Sequence, residues 1–264
     1  MTVNASKTAV VTGGSSTFGA AYALKLAQRG YSLVLTGRSE SRLSAVARDI
    51  EERTGAGVEI MVADLTSPVQ LKGVEERLSS DEAIDLLVNS AGAAVYAPAP
   101  GFAASAIDEQ VAVNVTALTR LTTAALTGMT RRGHGTVVNI SSALAFYILP
   151  VSAVYSATKS YVLTFTQALQ QELAGTGVVV QAVVPGAMRT EFWEGSGVEL
   201  SAFPDEAVMS PEDVVDAALA GLDAGEAVTV PSLVDIADWE SYEEALRRLA
   251  SGVSRSVPAE RYRR

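Results

Sequence analysis

The sequence predicts an α/β fold: a doubly wound, mostly parallel sheet of seven strands with helices on both faces. Three observations predict it. Short apolar runs alternate with helical patterns along all 264 residues, which implies βαβ units with right-handed crossovers. The apolar runs are continuous and rich in β-branched residues, without in–out alternation, as in strands covered on both faces. No linker is long enough to divide the chain, so residues 1–264 read as a single domain.

The first strand spans 8–11 and runs into Thr12-Gly13-Gly14-Ser15-Ser16-Thr17-Phe18-Gly19, where a helix over 18–29 begins. A Gly-rich strand-to-helix turn aims unpaired N–H groups and a positive helix end at an anion, a pyrophosphate above all. A strand over 32–36 ends in Gly37-Arg38-Ser39 and precedes a helix over 40–53 that carries Arg42. The third strand, 58–62, leads to Asp64-Leu65 and a helix over 68–79, with Asp64 suited to cap it. After the fourth strand, 86–88, comes Asn89-Ser90-Ala91-Gly92, and then one long helix over 104–130 that contains Asn114. His134, the only histidine, falls in a polar Gly-flanked turn and reads as an exposed loop residue.

A fifth strand, 136–140, delivers Ser141 and Ser142 at its end, and a helix over 153–174 follows. The sixth strand, 178–183, precedes Pro185-Gly186, Met188 and Thr190. The irregular stretch 190–210, with Gly195, Gly197 and Pro204, reads as a lid over a site at the carboxyl ends of the strands. A helix over 211–222 and a seventh strand over 227–230 complete the body. The tail, 231–264, places Ile236, Trp239, Tyr242, Leu246 and Leu249 in an apolar stripe at helical spacing, expected to pack on the body or on another subunit.

Composition narrows the chemistry. The net charge of −10 argues against nucleic acid or an anionic membrane as partner. No cysteine and one histidine leave little for a disulfide, a thiol nucleophile or a zinc centre, so no metal is expected. The amino terminus lacks the apolar core of a signal peptide, and no apolar run approaches the ~18 residues of a membrane span. A soluble, cytoplasmic protein is the expectation.

Tyr155-Ser-Ala-Thr-Lys159 is the most informative stretch. It puts a phenol and an ammonium at i and i+4, on one helix face. A phenol titrates near ~10 in isolation, too high to trade protons readily at neutral pH. A neighbouring cation favours the phenolate, so Lys159 is expected to pull the Tyr155 pKa down and make it an acid–base group.

These segments together resemble the short-chain dehydrogenase/reductase family. Thr12-Gly13 with Gly19 resembles its Thr-Gly-x-x-x-Gly-x-Gly nucleotide loop, and Asn89-Ser-Ala-Gly92 its Asn-Asn-Ala-Gly segment. Ser142, Tyr155 and Lys159 stand in the order and spacing of its catalytic residues, with Asn114 as the fourth. Pro185-Gly186 and Thr190 resemble its Pro-Gly-x-x-x-Thr. The match runs from about residue 8 to residue 190.

The resemblance implies a Rossmann-like fold, a nicotinamide dinucleotide and hydride transfer. The cofactor is expected to touch Gly13, Ser15, Ser16, Thr17, Phe18, Gly19, Asp64, Leu65, Asn89, Ala91, Gly92, Tyr155, Lys159, Pro185, Gly186, Met188 and Thr190. Where an NAD site would place a carboxylate, Gly37 is followed by Arg38, with Ser39 and Arg42 nearby, a pattern suited to the 2′-phosphate of NADP(H). Asn114 is implied to fix a water that relays protons to Lys159, and Ser142 to hold the carbonyl oxygen. Thr17 departs from the family by replacing its middle Gly: its hydroxyl either donates to phosphate or its bulk weakens binding.

Val95, Tyr96, Ala143, Phe146, Val151, Met188, Phe192, Trp193 and Phe203 are expected to surround a hydrophobic ketone or aldehyde. The expectation is therefore an NADPH-dependent carbonyl reductase, with a homodimer or homotetramer implied by the resemblance. The alternatives are a nucleotide-binding sensor or scaffold without turnover and an NAD-dependent alcohol dehydrogenase.

Overall fold

The computed structural model describes residues 7–263; the leaderless reading of residues 1–6 lies outside them. Seven parallel strands form one sheet: β1 (Thr8–Thr12), β2 (Ser32–Gly37), β3 (Val58–Val62), β4 (Ile84–Asn89), β5 (Gly135–Ile140), β6 (Val178–Val183) and, after two short strands, β9 (Val228–Thr229). Their order is β3-β2-β1-β4-β5-β6-β9. Adjacent strands pair in parallel register, as Val10↔Val34 and Val10↔Leu87 do on either side of β1. The order reverses between β1 and β4, and at such a point the loops leave the carboxyl ends in opposite directions and open a crevice.

Two apolar layers explain why the helices cover both faces. On one face Phe18, Tyr22 and Leu26 of α1 (Thr17–Gln28), Leu43 and Ile50 of α2 (Glu40–Thr54), and Val214, Ala218 and Leu219 of α7 (Pro211–Asp223) pack on Val11, Leu35 and Val88. On the other face Leu71, Val74 and Leu78 of α3 (Pro68–Ser80), Leu121, Ala125 and Met129 of α5 (Leu118–Arg132), and Leu169 of α6 (Ala153–Glu172) pack on Val10, Val34, Leu87, Val137 and Val180. Alternate residues of each strand therefore serve opposite layers, which is why apolar runs replaced alternation. The edge strand β3 is the exception: its Glu59 is exposed and Val62 is 47% exposed.

The structure departs from the sequence reading in two places. The helix expected over 104–130 is α4 (Ala104–Val111), a π-helical turn over Ala112–Ala117, and α5. Two short strands, β7 (Ala187–Met188) and β8 (Val208–Met209), pair with each other and close the base of the 190–207 loop. The described residues divide into two compact units after Pro231. The second unit holds α8 (Ile236–Val253), capped by Asp235, whose carboxylate accepts the Ala237 N–H at 2.9 Å. Within it the Trp239 and Tyr242 rings lie 5.2 Å apart, while Leu246 and Leu249 of the apolar stripe are exposed.

Candidate active site

The turn after β1 is held by its glycines. Gly13 has φ +66°, and a Cβ there would stand 3.0 Å from Ala91 Cα. A Cβ at Gly19 would lie 2.2 Å from the Gly13 carbonyl oxygen, a clash between backbone atoms. Position 17 carries no such restriction, because the Thr17 side chain points outward to Glu191. Ser16 caps α1 through its Oγ, which accepts the Gly19 N–H at 3.0 Å. Thr12 Oγ1 accepts the N–H groups of Ser90 and Ala91, both at 3.0 Å, and so ties the loops after β1 and β4 across the switch point. Gly37, Arg38 and Ser39 end β2, and Ser39 Oγ caps α2 by accepting the Arg42 N–H at 3.4 Å. A helix N-terminus flanked by two arginines and two serines (Ser39, Ser41) is a donor set fitted to a phosphate monoester. Arg38 also faces Glu109 at 3.4 Å, an exposed pair that contributes little to stability.

Ser142, Tyr155 and Lys159 come together where β5 meets α6. Tyr155 and Lys159 are both buried, 6% and 4% exposed. Lys159 Nζ lies 5.6 Å from the centre of the Tyr155 ring and donates to the Ile140 carbonyl at 2.9 Å. The Ser142 hydroxyl hydrogen-bonds Tyr155. Ser142 Oγ also accepts the Leu144 N–H at 3.2 Å, which leaves its own proton to point at the phenol side. Ser141 differs: its hydroxyl donates to the Lys159 carbonyl at 2.8 Å and locks α6 to the end of β5. Ala143 N–H donates to the Pro185 carbonyl at 2.9 Å, which joins the loop after β5 to the one after β6.

One electrostatic expectation is overturned. Burial pushes the Tyr155 phenol above the usual range, the nearby Tyr96 phenol adds to that, and the Ser142 hydrogen bond opposes it only in part. Burial also lowers Lys159 to about 8, because no carboxylate offsets the desolvated ammonium. Desolvation, not the neighbouring cation, thus governs both groups in the protein on its own.

Asn114 sits in the π-turn, where insertion of one residue re-aims side chains and is a frequent mark of function. Its Oδ1 accepts the Ala93 N–H and its Nδ2 donates to the Ala93 carbonyl, both at 2.8 Å; a second donation reaches Thr158 Oγ1 at 3.0 Å. The side chain thus spends its acceptor and one donor on the segment after β4 and its other donor on α6, which ties the two together. A Cβ at Gly92 would stand 3.6 Å from Asn114 Oδ1 and 3.7 Å from Lys159 Nζ, so these three positions are neighbours. The side chain of Asn89 donates to Thr122 Oγ1 and Asn139 Oδ1, both at 2.9 Å, inside the sheet core, so only its backbone is left to face the crevice. The direction of its side chain was set by packing, which spacing alone does not reveal. Asp64 Oδ1 accepts both the backbone and hydroxyl protons of Thr66, which hold its carboxyl below the usual range; Leu65 is buried beside it.

Aromatic side chains from two segments converge on Tyr155. Its ring lies 5.4 Å from Tyr96 and 5.8 Å from Phe192; Trp193 stacks on Tyr96 at 6.3 Å and meets Phe203 at 5.0 Å. The 190–207 loop is pinned over them by Tyr96 N–H to the Ser196 carbonyl at 2.6 Å and by Trp193 Nε1 to the Met188 carbonyl at 2.8 Å. Val95 and Ala143 are half-buried, while Phe146 and Val151 are each 40% exposed. Met188 is partly buried against the core cluster that holds Phe18 and Ile140. Thr190 Oγ1 accepts the Phe192 N–H at 3.4 Å and starts the loop's first turn. Glu191, which no motif marks, was missed: its partner Thr17 lies 174 residues earlier.

A family model described as short chain dehydrogenase matches residues 7–199. An uncharacterized oxidoreductase of Staphylococcus saprophyticus is 35% identical over 228 residues, 85% of this chain and 94% of that protein. Among solved structures, a short-chain dehydrogenase from Sphingobium yanoikuyae in complex with NADPH superposes with a TM-score of 0.93 at 40% identity, covering 97% of this chain and 100% of that one. A bulky-bulky ketone specific alcohol dehydrogenase from Comamonas testosteroni gives 0.89 at 37% identity, covering 97% and 98%.

Proposed function

The chain belongs to the short-chain dehydrogenase/reductase family, and from that premise we propose that it reduces an apolar ketone or aldehyde with NADPH. The observation that carries this reading is the buried pairing of Tyr155 with Lys159 next to Ser142, under the Tyr96 and Phe192 rings. A phenol with a cation and a hydroxyl beside it can give its proton to a developing alkoxide, and a general acid is what the reductive direction needs.

The donor set fits the cofactor. The α1 N-terminus, with its Gly13 and Gly19 turn, would hold the pyrophosphate; Arg38, Ser39 and Arg42 would hold a 2′-phosphate; Asp64 and Leu65 would flank the adenine. Pro185, Gly186 and Thr190 would border the nicotinamide. The reduced cofactor, when bound, supplies the hydride that adds to the carbonyl carbon. Ser142 orients and polarises the carbonyl oxygen through its hydroxyl. Tyr155 gives its O–H proton to that oxygen as negative charge develops. Lys159, still largely cationic below about 8, then stabilises the phenolate left behind. Asn114 positions the Ala93 backbone that walls this group. The Tyr96, Phe192, Trp193 and Phe203 rings exclude water and favour a substrate with apolar substituents on the carbonyl. The NADPH-bound relative and the ketone-specific one support the same choice of cofactor and substrate class.

The test is a panel of bulky and small ketones and aldehydes followed by NADPH absorbance. NADPH is expected to be consumed with aryl or branched ketones, NADH at least tenfold less efficiently, a difference of about 1.4 kcal/mol. Tyr155→Phe, which removes one hydroxyl, should lower kcat by about 10²- to 10⁴-fold while cofactor binding persists. A variant that turns over like the wild type would end this mechanism, and cofactor binding without turnover on any carbonyl would point to a sensor.

A further inference from the structure

Glu191 opens the 190–207 loop and reaches the first residue of α1. Its Oε1 accepts the Thr17 backbone N–H at 2.9 Å, and its other carboxylate oxygen accepts the Thr17 hydroxyl. The first turn of a helix has few unpaired N–H groups. Here the Gly19 N–H is given to Ser16 Oγ at 3.0 Å and the Ala20 N–H to the Ser16 carbonyl at 2.8 Å. The carboxylate therefore holds one of the remaining donors that a phosphate oxygen would use. Burial alone would raise the Glu191 carboxyl, but the two Thr17 bonds and the Arg42 cation outweigh it, so the group is ionised at neutral pH. A glycine at position 17 would offer the N–H without the hydroxyl. The residue by which this chain departs from its family pattern is thus the one that completes the carboxylate's second bond.

We propose that Glu191 is an anionic competitor for the cofactor's pyrophosphate at the N-terminus of α1, a residue that sets dinucleotide affinity because it must give up Thr17 before a diphosphate can settle there. The inference rests on the reading of this chain as an NADPH enzyme. The competition is electrostatic and local: two anions seek the same N–H donors, and like charges within a few ångströms disfavour joint occupancy. It acts on the pyrophosphate and not on the adenosine end, so a ligand without a pyrophosphate is blind to it.

Full-length wild type, Glu191→Gln and Thr17→Gly are titrated with NADPH and, separately, with adenosine 2′-monophosphate, by quenching of tryptophan fluorescence and by calorimetry. Glu191→Gln is expected to bind NADPH about tenfold more tightly and adenosine 2′-monophosphate unchanged within about twofold. Thr17→Gly, which removes the hydroxyl bond to the carboxylate with the rest of the side chain but keeps the backbone N–H, should tighten NADPH in the same direction by less. Unchanged or weaker NADPH binding in a folded Glu191→Gln overturns the proposal. So does equal tightening of both ligands, which would report a general change in the crevice. Should Glu191→Gln not fold, Thr17→Gly decides by the same criteria. Wild type that fails to bind NADPH at all sinks the functional reading together with this inference, whereas binding unaffected by either substitution sinks the inference alone.

Discussion

Burial acts on Tyr155 and Lys159 in opposite chemical directions with a common result. It disfavours the phenolate of one and the ammonium of the other, so protonated Tyr155 is secured while Lys159 is brought to about 8. The spacing of the pair was plain in the sequence; which force governs it was not, because desolvation depends on what the fold lays over the two side chains. A consequence for stability follows from proton counting. Between about 8 and the unfolded value of 10.5, folded Lys159 binds fewer protons than the unfolded chain. Stability then rises with pH across that window, and below it the buried cation costs roughly 3 kcal/mol. Above pH ~10 the phenols of Tyr22, Tyr96 and Tyr155, all raised by burial, reverse the slope. Lys159→Met is expected to abolish turnover, flatten the rise between about pH 8 and 10, and leave the protein at least as stable at pH 7 despite losing the bond to the Ile140 carbonyl. Urea unfolding at a series of pH values measures both stability outcomes, and NADPH absorbance with a carbonyl substrate measures turnover. A variant with an unchanged slope would show that Lys159 is not the titrating group.

The loop between β7 and β8 is an element that the irregular sequence marked and that its own turns and two short strands define. Its closest backbone approach is at Gly197, with φ +89°, where a Cβ would lie 2.6 Å from the Tyr96 carbonyl oxygen. Gly197→Ala is therefore expected to lift the loop off Tyr96 and weaken the aromatic cluster above Tyr155. KM for the carbonyl substrate should rise about tenfold while the dissociation constant of NADPH changes little. Steady-state kinetics at saturating NADPH separate the two, and a loss confined to NADPH binding would contradict the placement. The π-turn at Asn114 is the opposite case. Nothing in the apolar period of 104–130 signals an inserted residue, because the register is set by Asn114 pairing with Ala93 and Thr158, partners that come from other parts of the chain.

For the sheet with its helices, a ligand that binds only the folded chain adds RT ln(1 + [L]/Kd) to stability. At about one hundred times Kd, NADPH is expected to add about 2.7 kcal/mol. In a chain of this size that raises Tm by roughly 5 to 10 °C, and NADH at the same concentration should raise it less. A thermal melt with each dinucleotide checks the order; an equal shift would remove the role given to Arg38 and Arg42. Alternating strands and helices, the Gly-rich turn, Arg38 at the end of β2 and the Ser142–Tyr155–Lys159 set were all legible in the amino-acid order. Each is a local pattern: a period, a turn chemistry, or two groups one helical turn apart. Whether Asn89 faces the crevice or the core, how the Tyr155 proton is held, and what Thr17 touches were decided only by tertiary packing. Those outcomes turn on burial and on partners brought together from distant parts of the chain, and the spacing of residues along a sequence carries no record of either.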